Sequence, residues 1–386
     1  MKKLKIIADD KIPFLRGAME GYADMVYLPG AKIGPWDVKD ADAIIVRTRT
    51  NCSASLLHGS SVKFIATATI GYDHIDTEYC QKNNIFWTNA PGCNSSSVEQ
   101  YLVSALLTLS VKKNLNLTGM SMAVIGVGNV GSKVARVAEI LGMRALLNDP
   151  PRAMVEGLDG FESLEKIKKE ADIISFHVPL NFIGPFKTAG MANKHFFDGL
   201  KKKVILINTS RGEIINEDDL IDVIRKSRIS DIVLDVWNSE PQINTALMEV
   251  ASIVSPHIAG YSTDGKANGT KTCIRSLSRF FQLGLDNWAP ENVPLPENTQ
   301  IITDCSGKTE IDILHEVYTQ TYDILDDDTA LRTNVKEFEA HRGGYRLRRE
   351  PTSYSVKLLN NSWTGIEEKL EKLGFSVLAP NCFCEI

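Results

Sequence analysis

A chain of 386 residues has room for two or three domains. With 43% hydrophobic and 24% charged residues its composition is that of an ordinary globular protein, and no apolar run reaches transmembrane length. The net charge of −5 gives no global attraction to nucleic acid or to an anionic membrane, so neither is expected as a partner. The basic start Met1–Lys5 turns acidic at Asp9, too early for a secretion signal. Seven scattered cysteines, an odd count, point to reduced thiols and a cytoplasmic setting. Cys382 and Cys384 lack a second ligand pair and read as a frayed tail, so no metal is expected.

In the first ninety residues, strand-like runs at Leu4–Ala8, Ala43–Arg47, Lys63–Ala66 and Ile85–Thr88 alternate with helical patterns. That alternation predicts a parallel sheet with helices on its faces. Ser95, Ser96 and Ser97 offer a helix cap, and Val98, Tyr101, Leu102, Ala105, Leu106 and Leu109 then share one helical face, a helix long enough to join two domains. Six further strands follow at Met122–Ile125, Ala145–Asn148, Asp172–Phe176, Val204–Asn208, Asp231–Asp235 and Ser252–Val254, with Gly142 ending the first intervening helix. The proline-rich segment Trp288–Glu297 reads as a linker. Beyond it, Ile311, Leu314, Val317 and Tyr318 mark a helix, Tyr354–Leu359 a strand, Trp363–Leu373 a helix stopped by Gly374, and Phe375–Leu378 a last strand, together a small α+β domain. Asp326-Asp327-Asp328 reads as a solvated turn.

The most specific motif is Gly126-Val127-Gly128-Asn129-Val130-Gly131 directly after Val124-Ile125, with Leu146-Leu147-Asn148-Asp149 behind it. Strand, Gly-x-Gly-x-x-Gly turn, helix and acid in that order are the fingerprint of a dinucleotide site on a Rossmann domain. Gly126 permits the tight turn, Gly128 lets the backbone approach a pyrophosphate, and Gly131 lets the helix pack on the strand. The pyrophosphate meets free N–H groups and the positive end of the helix dipole. Asp149, 18 residues after Gly131, can accept from both ribose hydroxyls and would repel a 2′-phosphate, which predicts NAD rather than NADP. Arg152 is the residue that could reverse that preference.

Arg211 follows the run Val204–Asn208, Glu240 follows Val233–Val236 and precedes Pro241, and His257 follows Ile253–Ser255 and precedes Ile258. Open α/β sheets bind ligands beyond the carboxyl ends of their strands, so these three side chains could converge on one crevice beside the cofactor. His74 and His177 compete for the role of base, but His74 reads as a turn residue and His177 as structure near the cofactor.

With Asn208-x-x-Arg211-Gly212, Leu234-Asp235-Val236-Trp237 leading to Glu240-Pro241, and Pro256-His257 in that order, the chain resembles the D-isomer-specific 2-hydroxyacid dehydrogenases over roughly residues 1–285. It is most similar to a branch that acts on a phosphorylated hydroxy acid and carries an added C-terminal domain, through stretches such as Thr67–His74, Ala90–Asn94, Gly184–Thr188 and His257–Ser262. The resemblance implies a flavodoxin-like, discontinuous substrate (lid) domain from residues 1–93 and 258–287, an NAD-binding Rossmann domain at 94–257, a cleft between them, and a C-terminal dimerisation domain at 288–386 that makes a homodimer. It assigns proton transfer to His257, orientation of that ring to Glu240 and grip on the substrate carboxylate to Arg211. Cofactor contacts carry over to Gly126, Gly128, Asn129, Val130, Gly131, Asp149, Val178, Thr209, Ser210, Asp235 and Gly260, with Asp235 facing the nicotinamide carboxamide. The branch has Thr where this chain has Val178, which leaves only a backbone contact there. Substrate contacts fall on Thr48, Thr69 and Tyr261. For the phosphate, Arg47 lies beside Thr48, and the basic stretch His341–Arg349 is either a phosphate-reaching element or a solvated turn. Other readings are a different 2-hydroxy acid, 3-phosphoglycerate for instance, and a non-catalytic NAD(H)-sensing scaffold; an intact Arg211, Glu240 and His257 speaks against the scaffold.

Overall fold

A computed structural model describes residues 3–379, so Cys382 and Cys384 lie outside the described residues. The chain forms two compact units, Met1–Asn94 with Ser262–Pro294, and Ser95–Tyr261 with Leu295–Ile386.

The first unit holds β1 (Leu4–Asp9), β2 (Ala23–Leu28), β3 (Ala43–Val46), β4 (Phe64–Thr67) and β5 (Phe86–Thr88). All pair in parallel in the order β2-β1-β3-β4-β5, the flavodoxin-like order. Every residue of β3 and β4 is buried, which is why both read as unbroken apolar runs. Edge strand β2, with alternating exposure and Asp24 and Met25 among its six residues, has no such run. The helix Thr263–Phe281 returns to this sheet and seats Cys273, Ile274 and Leu277 against Ile6, Ala8, Phe64 and Ala66. Gly269 allows the approach, since a Cβ there would meet the Ala68 carbonyl oxygen at 2.8 Å.

The second unit holds β6 (Ser121–Ile125), β7 (Arg144–Asn148), β8 (Ile173–Phe176), β9 (Val204–Asn208), β10 (Ile229–Leu234) and β11 (Ile253–Val254), in the order β11-β10-β9-β8-β6-β7. The chain moves outward from β6 to β7 and then crosses back to lay β8 on the other side of β6. The switch point of the sheet therefore lies between β6 and β8, the place where such folds bind ligands. The helix Asn129–Ile140 ends in a Schellman motif, with Gly142 N–H on Glu139 O at 3.0 Å, Met143 N–H on Ala138 O at 2.8 Å, and Gly142 at φ 76°.

The C-terminal module belongs to this unit. Residues 288–299 have no helix or strand. After them β12 (Gln300–Asp304), β13 (Ser355–Leu359) and β14 (Ser376–Val377) form a small sheet in that order, all parallel, with helices in the crossovers.

The helix Ser95–Lys113 is not amphipathic in place: Gln100, Val103, Ser104, Leu107 and Thr108 are buried as well as the face predicted. One side packs on Val134, Val137 and Ala138, and the C-terminal Ile313, Leu314, Val317 and Tyr318 belong to the same core. Its polar residues at four-residue spacing face that module: Gln100 Nε2 donates to Arg349 O at 3.0 Å, Ser104 Oγ to Tyr322 O at 3.0 Å, and Thr108 Oγ1 meets His315 Nε2 at 3.5 Å. The triple aspartate is no solvated turn. It lies in the helix Ile324–Thr333, where buried Asp327 accepts from the Tyr322 and Tyr345 hydroxyls at 2.8 and 2.7 Å. Asp328 accepts from the Val254 N–H at 2.8 Å and tethers that helix to β11.

Candidate active site

The glycine turn is built as its spacing demands. Gly126 sits at φ 90°, and a Cβ there would lie 2.7 Å from the His177 backbone after β8. A Cβ on Gly131 would lie 1.9 Å from Gly126 O, so only glycine lets the helix start against the strand. A Cβ on Gly128, by contrast, would enter open space above the helix start, the room a pyrophosphate needs. Exposed Asn129 and half-buried Val130 follow in the first turn, whose N–H groups have no intrahelical acceptor.

Asp149 caps the next helix. Its Oδ1 accepts from Arg152 N–H at 3.1 Å and its Oδ2 from Val127 N–H at 2.8 Å, which fixes the carboxylate at the glycine turn and leaves lone pairs for ribose hydroxyls. Arg152 is engaged: Nε and Nη2 each donate to Glu156 at 2.7 Å, and Nη1 to Val127 O. With its fork spent on a carboxylate it is poorly placed to welcome a 2′-phosphate, in keeping with NAD.

Beyond β8, His177 donates to or accepts from Ser175 Oγ at 2.8 Å and Thr209 Oγ1 at 3.4 Å. Desolvation pushes its imidazole down to about 3, so it stays neutral and makes a poor base. Val178, half-buried, follows it.

The turn after β9 is held from within. Asn208 Oδ1 accepts from Ser210 N–H at 3.0 Å and Ser210 Oγ at 2.7 Å, Asn208 Nδ2 donates to Arg211 O at 2.9 Å, and Arg211 Nη1 donates to Ser210 O at 2.8 Å. Gly212 then abuts the turn after β10 so closely that a Cβ would lie 2.0 Å from the Trp237 carbonyl carbon. Arg211 is thereby placed beside the loop that carries Glu240.

Glu240 and His257 meet directly: His257 Nδ1 lies 2.8 Å from Glu240 Oε2, while Glu240 Oε1 accepts from Trp237 N–H at 3.0 Å. Burial pushes the Glu240 carboxyl up. The hydrogen bond and charge of His257, the Trp237 N–H and the Arg342 guanidinium outweigh it and hold Glu240 below the usual range. The ring is carried on a backbone at φ 57°, and the backbone N–H of His257 donates to Asp235 O at 2.7 Å.

Asp235 is 1% exposed, and its carboxylate accepts from Ser255 Oγ (2.6 Å), Ile258 N–H (2.7 Å) and Ala259 N–H (3.0 Å). Burial raises its carboxyl, against the pull of His257 and these donors. It shapes the turn that presents His257. Gly260 and Tyr261 follow in the same turn, both half-buried.

The basic stretch of the C-terminal module is no solvated turn. Arg348 is 2% exposed; its Nε donates to Gln100 Oε1 at 3.0 Å, Nη1 to Ile258 O at 3.3 Å and Nη2 to Ala259 O at 2.9 Å. Arg346 pairs with buried Asp327. Arg342, whose guanidinium lies 5.7 Å from the Tyr261 ring and whose charge reaches Glu240, has no local pattern that singles it out in the sequence. Only a long-range contact could have distinguished it from its basic neighbours.

The remaining candidates belong to the first unit. Thr48 is exposed at the end of β3. Arg47 beside it pairs with buried Asp9, Nε to Oδ2 at 3.1 Å. Thr69 Oγ1 donates to Gly71 O at 2.9 Å and meets Thr67 Oγ1 at 2.7 Å, which in turn meets His74 Nε2 at 3.0 Å. Burial lowers the His74 imidazole, which suits a turn residue.

Residues 105–259 match the family model of the D-isomer specific 2-hydroxyacid dehydrogenase NAD binding domain, and residues 294–374 a domain family of unknown function. The chain is 48% identical over 354 residues to the erythronate-4-phosphate dehydrogenase of Bacteroides fragilis, covering 92% of this chain and 99% of that protein. It is 37% identical to the Photorhabdus laumondii enzyme of the same name, covering 97% and 99%. Among solved structures, D-lactate dehydrogenase from Aquifex aeolicus complexed with NAD and lactic acid aligns with TM-score 0.61 and 26% identity, over 73% of this chain and 97% of that one. NAD+-bound 3-phosphoglycerate dehydrogenase of Entamoeba histolytica aligns with TM-score 0.60 and 25% identity, over 75% and 99%. Among the described residues no helix is long and apolar enough to cross a membrane.

Proposed function

The chain belongs to the D-isomer specific 2-hydroxyacid dehydrogenases, in the branch of the erythronate-4-phosphate dehydrogenases, and from that premise we propose that it oxidises 4-phospho-D-erythronate at C2 to 2-oxo-3-hydroxy-4-phosphobutanoate, a step toward pyridoxal 5′-phosphate. NAD is its cofactor. Gly126, Gly128, Asn129, Val130, Gly131 and Asp149 would hold it, with Val178, Thr209, Ser210, Asp235 and Gly260 along its nicotinamide half. Held by these residues, NAD would supply the acceptor for the hydride of C2.

The observation that carries the reading is the 2.8 Å contact between His257 and Glu240. A carboxylate held ionised accepts from Nδ1–H, so the ring's other nitrogen, Nε2, is left with a lone pair. Nε2 can then take the proton of the substrate hydroxyl as C2 is oxidised, and Glu240 stabilises the imidazolium that forms. In the reverse direction the same ring returns the proton. Arg211 would grip the C1 carboxylate through its two-pronged donor edge and polarise the forming carbonyl. Tyr261 would contact the substrate from the turn after His257, with Thr48 and Thr69 contributing hydroxyls. Residues 1–93 and 258–287 would serve as the substrate domain, 94–257 as the NAD domain and 288–386 as the dimerisation domain of a cytoplasmic homodimer.

The test is NADH formation with 4-phosphoerythronate, 3-phosphoglycerate and D-lactate side by side. The first should have the highest kcat/KM by at least tenfold; a higher value for either other acid overturns the substrate assignment. His257→Asn should abolish turnover and keep NADH affinity, which a non-catalytic sensor would have no reason to show.

A further inference from the structure

The proposed substrate carries a second anion, and the obvious cations are spent. Arg346 is paired with Asp327, Arg348 is enclosed by carbonyls and Gln100, and Arg47 is paired with Asp9. Arg342 differs from all three. It sits on the short helix Phe338–Gly343 of the C-terminal module, with its side chain 21% exposed. The Tyr261 and Phe338 rings lie 5.7 and 5.9 Å from its Cζ. Aromatic neighbours of this kind hold a guanidinium in place without consuming its N–H donors. Of its five N–H donors, one on Nη1 reaches Glu339 Oε1 at 3.1 Å. Nε is buried and among the described residues has no hydrogen-bond partner. Buried donors of native proteins are nearly always satisfied, so an orphan on a charged fork points to a ligand or an ordered water. Its surroundings are those of the site: the Tyr261 hydroxyl hydrogen-bonds it, and its charge acts on Glu240.

We propose that Arg342 binds the phosphate of the substrate, so that the C-terminal module, which matches a family of unknown function, supplies a binding residue to the active site. This rests on the reading of the substrate as a phosphorylated 2-hydroxy acid. A planar fork suits a phosphate dianion, and Arg342 is carried by a different element from Arg211, which takes the carboxylate. The module thereby becomes part of substrate selection: a chain with the same His257, Glu240 and Arg211 but no Arg342 would favour unphosphorylated acids.

Full-length Arg342→Met and Arg342→Lys should be compared with the parent on 4-phosphoerythronate and on unphosphorylated D-erythronate. Loss of one partner of a desolvated charge pair predicts a rise of about 100-fold in KM for the phosphorylated acid with Met. For erythronate kcat/KM should fall much less, only by the part that Arg342 contributes through Glu240, because that acid lacks the partner group. Lysine should recover part of the loss. Inorganic phosphate, used as an inhibitor competitive with substrate, should lose potency in both variants, a readout that survives if the Met variant folds poorly and only Lys can be studied. Equal losses on both acids at unchanged NADH affinity would place Arg342 in support of Glu240 and overturn the proposal, as would an unchanged KM. If the parent prefers 3-phosphoglycerate, the substrate reading fails on its own, and 3-phosphoglycerate against glycerate then tests Arg342 in the same way.

Discussion

His257 occupies the left-handed region of backbone space, at φ 57°, where a residue with a Cβ is uncommon and must be held by its surroundings. Here the holding groups can be named: Asp235 O accepts its N–H, and the Asp235 carboxylate accepts the next two N–H groups. Glu240 then fixes the ring from the other side. Because its carboxyl is held below the ordinary range, Glu240 is a full negative charge at neutral pH. Glu240→Gln keeps the size and one acceptor but removes that charge, and a flipped amide would favour the wrong tautomer of His257. We expect kcat to fall by about 10²–10⁴-fold with NADH affinity unchanged, the range usual for loss of a group that serves a general base. Steady-state kinetics with a fluorescence titration of NADH checks both halves, and a loss under tenfold would show that His257 does not depend on its partner.

At the scale of elements, the two catalytic turns are set by how closely β9 and β10 deliver them. A Cβ on Gly212 would sit 2.0 Å from the Trp237 carbonyl carbon and 2.4 Å from the Asn238 nitrogen, both backbone atoms that cannot swing aside. Gly212→Ala must therefore part the Arg211 turn from the Glu240 turn. A displacement of about 1 Å in a reacting constellation costs about 100-fold in rate. We predict a loss of that order in kcat/KM, with the larger part in kcat, while a dinucleotide still binds at the separate Gly126–Gly131 turn; an active variant would mean that the two turns move independently. The sequence showed Gly212 only as part of a spaced motif, since the neighbour it accommodates is 25 residues away. The same limit explains the rest of what was and was not legible. Strands buried on both faces, such as β3, β4 and β9, announce themselves as apolar runs. Edge strands β2 and β12, with partners on one side and alternating exposure, do not. The glycine turn, Arg211, Glu240 and His257 were readable because each sits at a strand end in a fixed local pattern. Asp327, Arg342 and Arg348 were misread or unranked because their partners lie in other elements, and a charged residue in sequence looks solvated until something covers it.

At the scale of the molecule, the proline-rich segment suggests a C-terminal appendage on a tether, yet the module packs in one unit with the NAD domain. Arg348 is the pin. Its guanidinium donates to the carbonyls of Ile258 and Ala259, in the turn after His257, to Ser97 at the start of the Ser95–Lys113 helix, and lies 4.0 Å from the Tyr322 ring centroid. That turn is thus clamped from both sides, its N–H groups by Asp235 and its C=O groups by Arg348. Arg348→Met would keep much of the volume and remove every donor: Ile258 O keeps the Tyr261 N–H and Ala259 O the Ser97 Oγ, while Gln100 Oε1 loses the donor it has from Arg348. Hydrogen bonds to a charged group are worth about 1.5–3 kcal/mol each, whereas a surface arginine in a solvated turn would contribute under about 1 kcal/mol. Urea unfolding of the full chain should separate the two magnitudes. It should also show coupling: if the module and NAD domain act as one unit, Arg348→Met shifts the unfolding midpoint and weakens NADH binding together. A module free on its tether would lose its own structure first, with NADH affinity and the later transition unmoved. That outcome would also remove the physical basis for Arg342 as a fixed member of the site, because a side chain can select a substrate only if the element that carries it stays in register with His257.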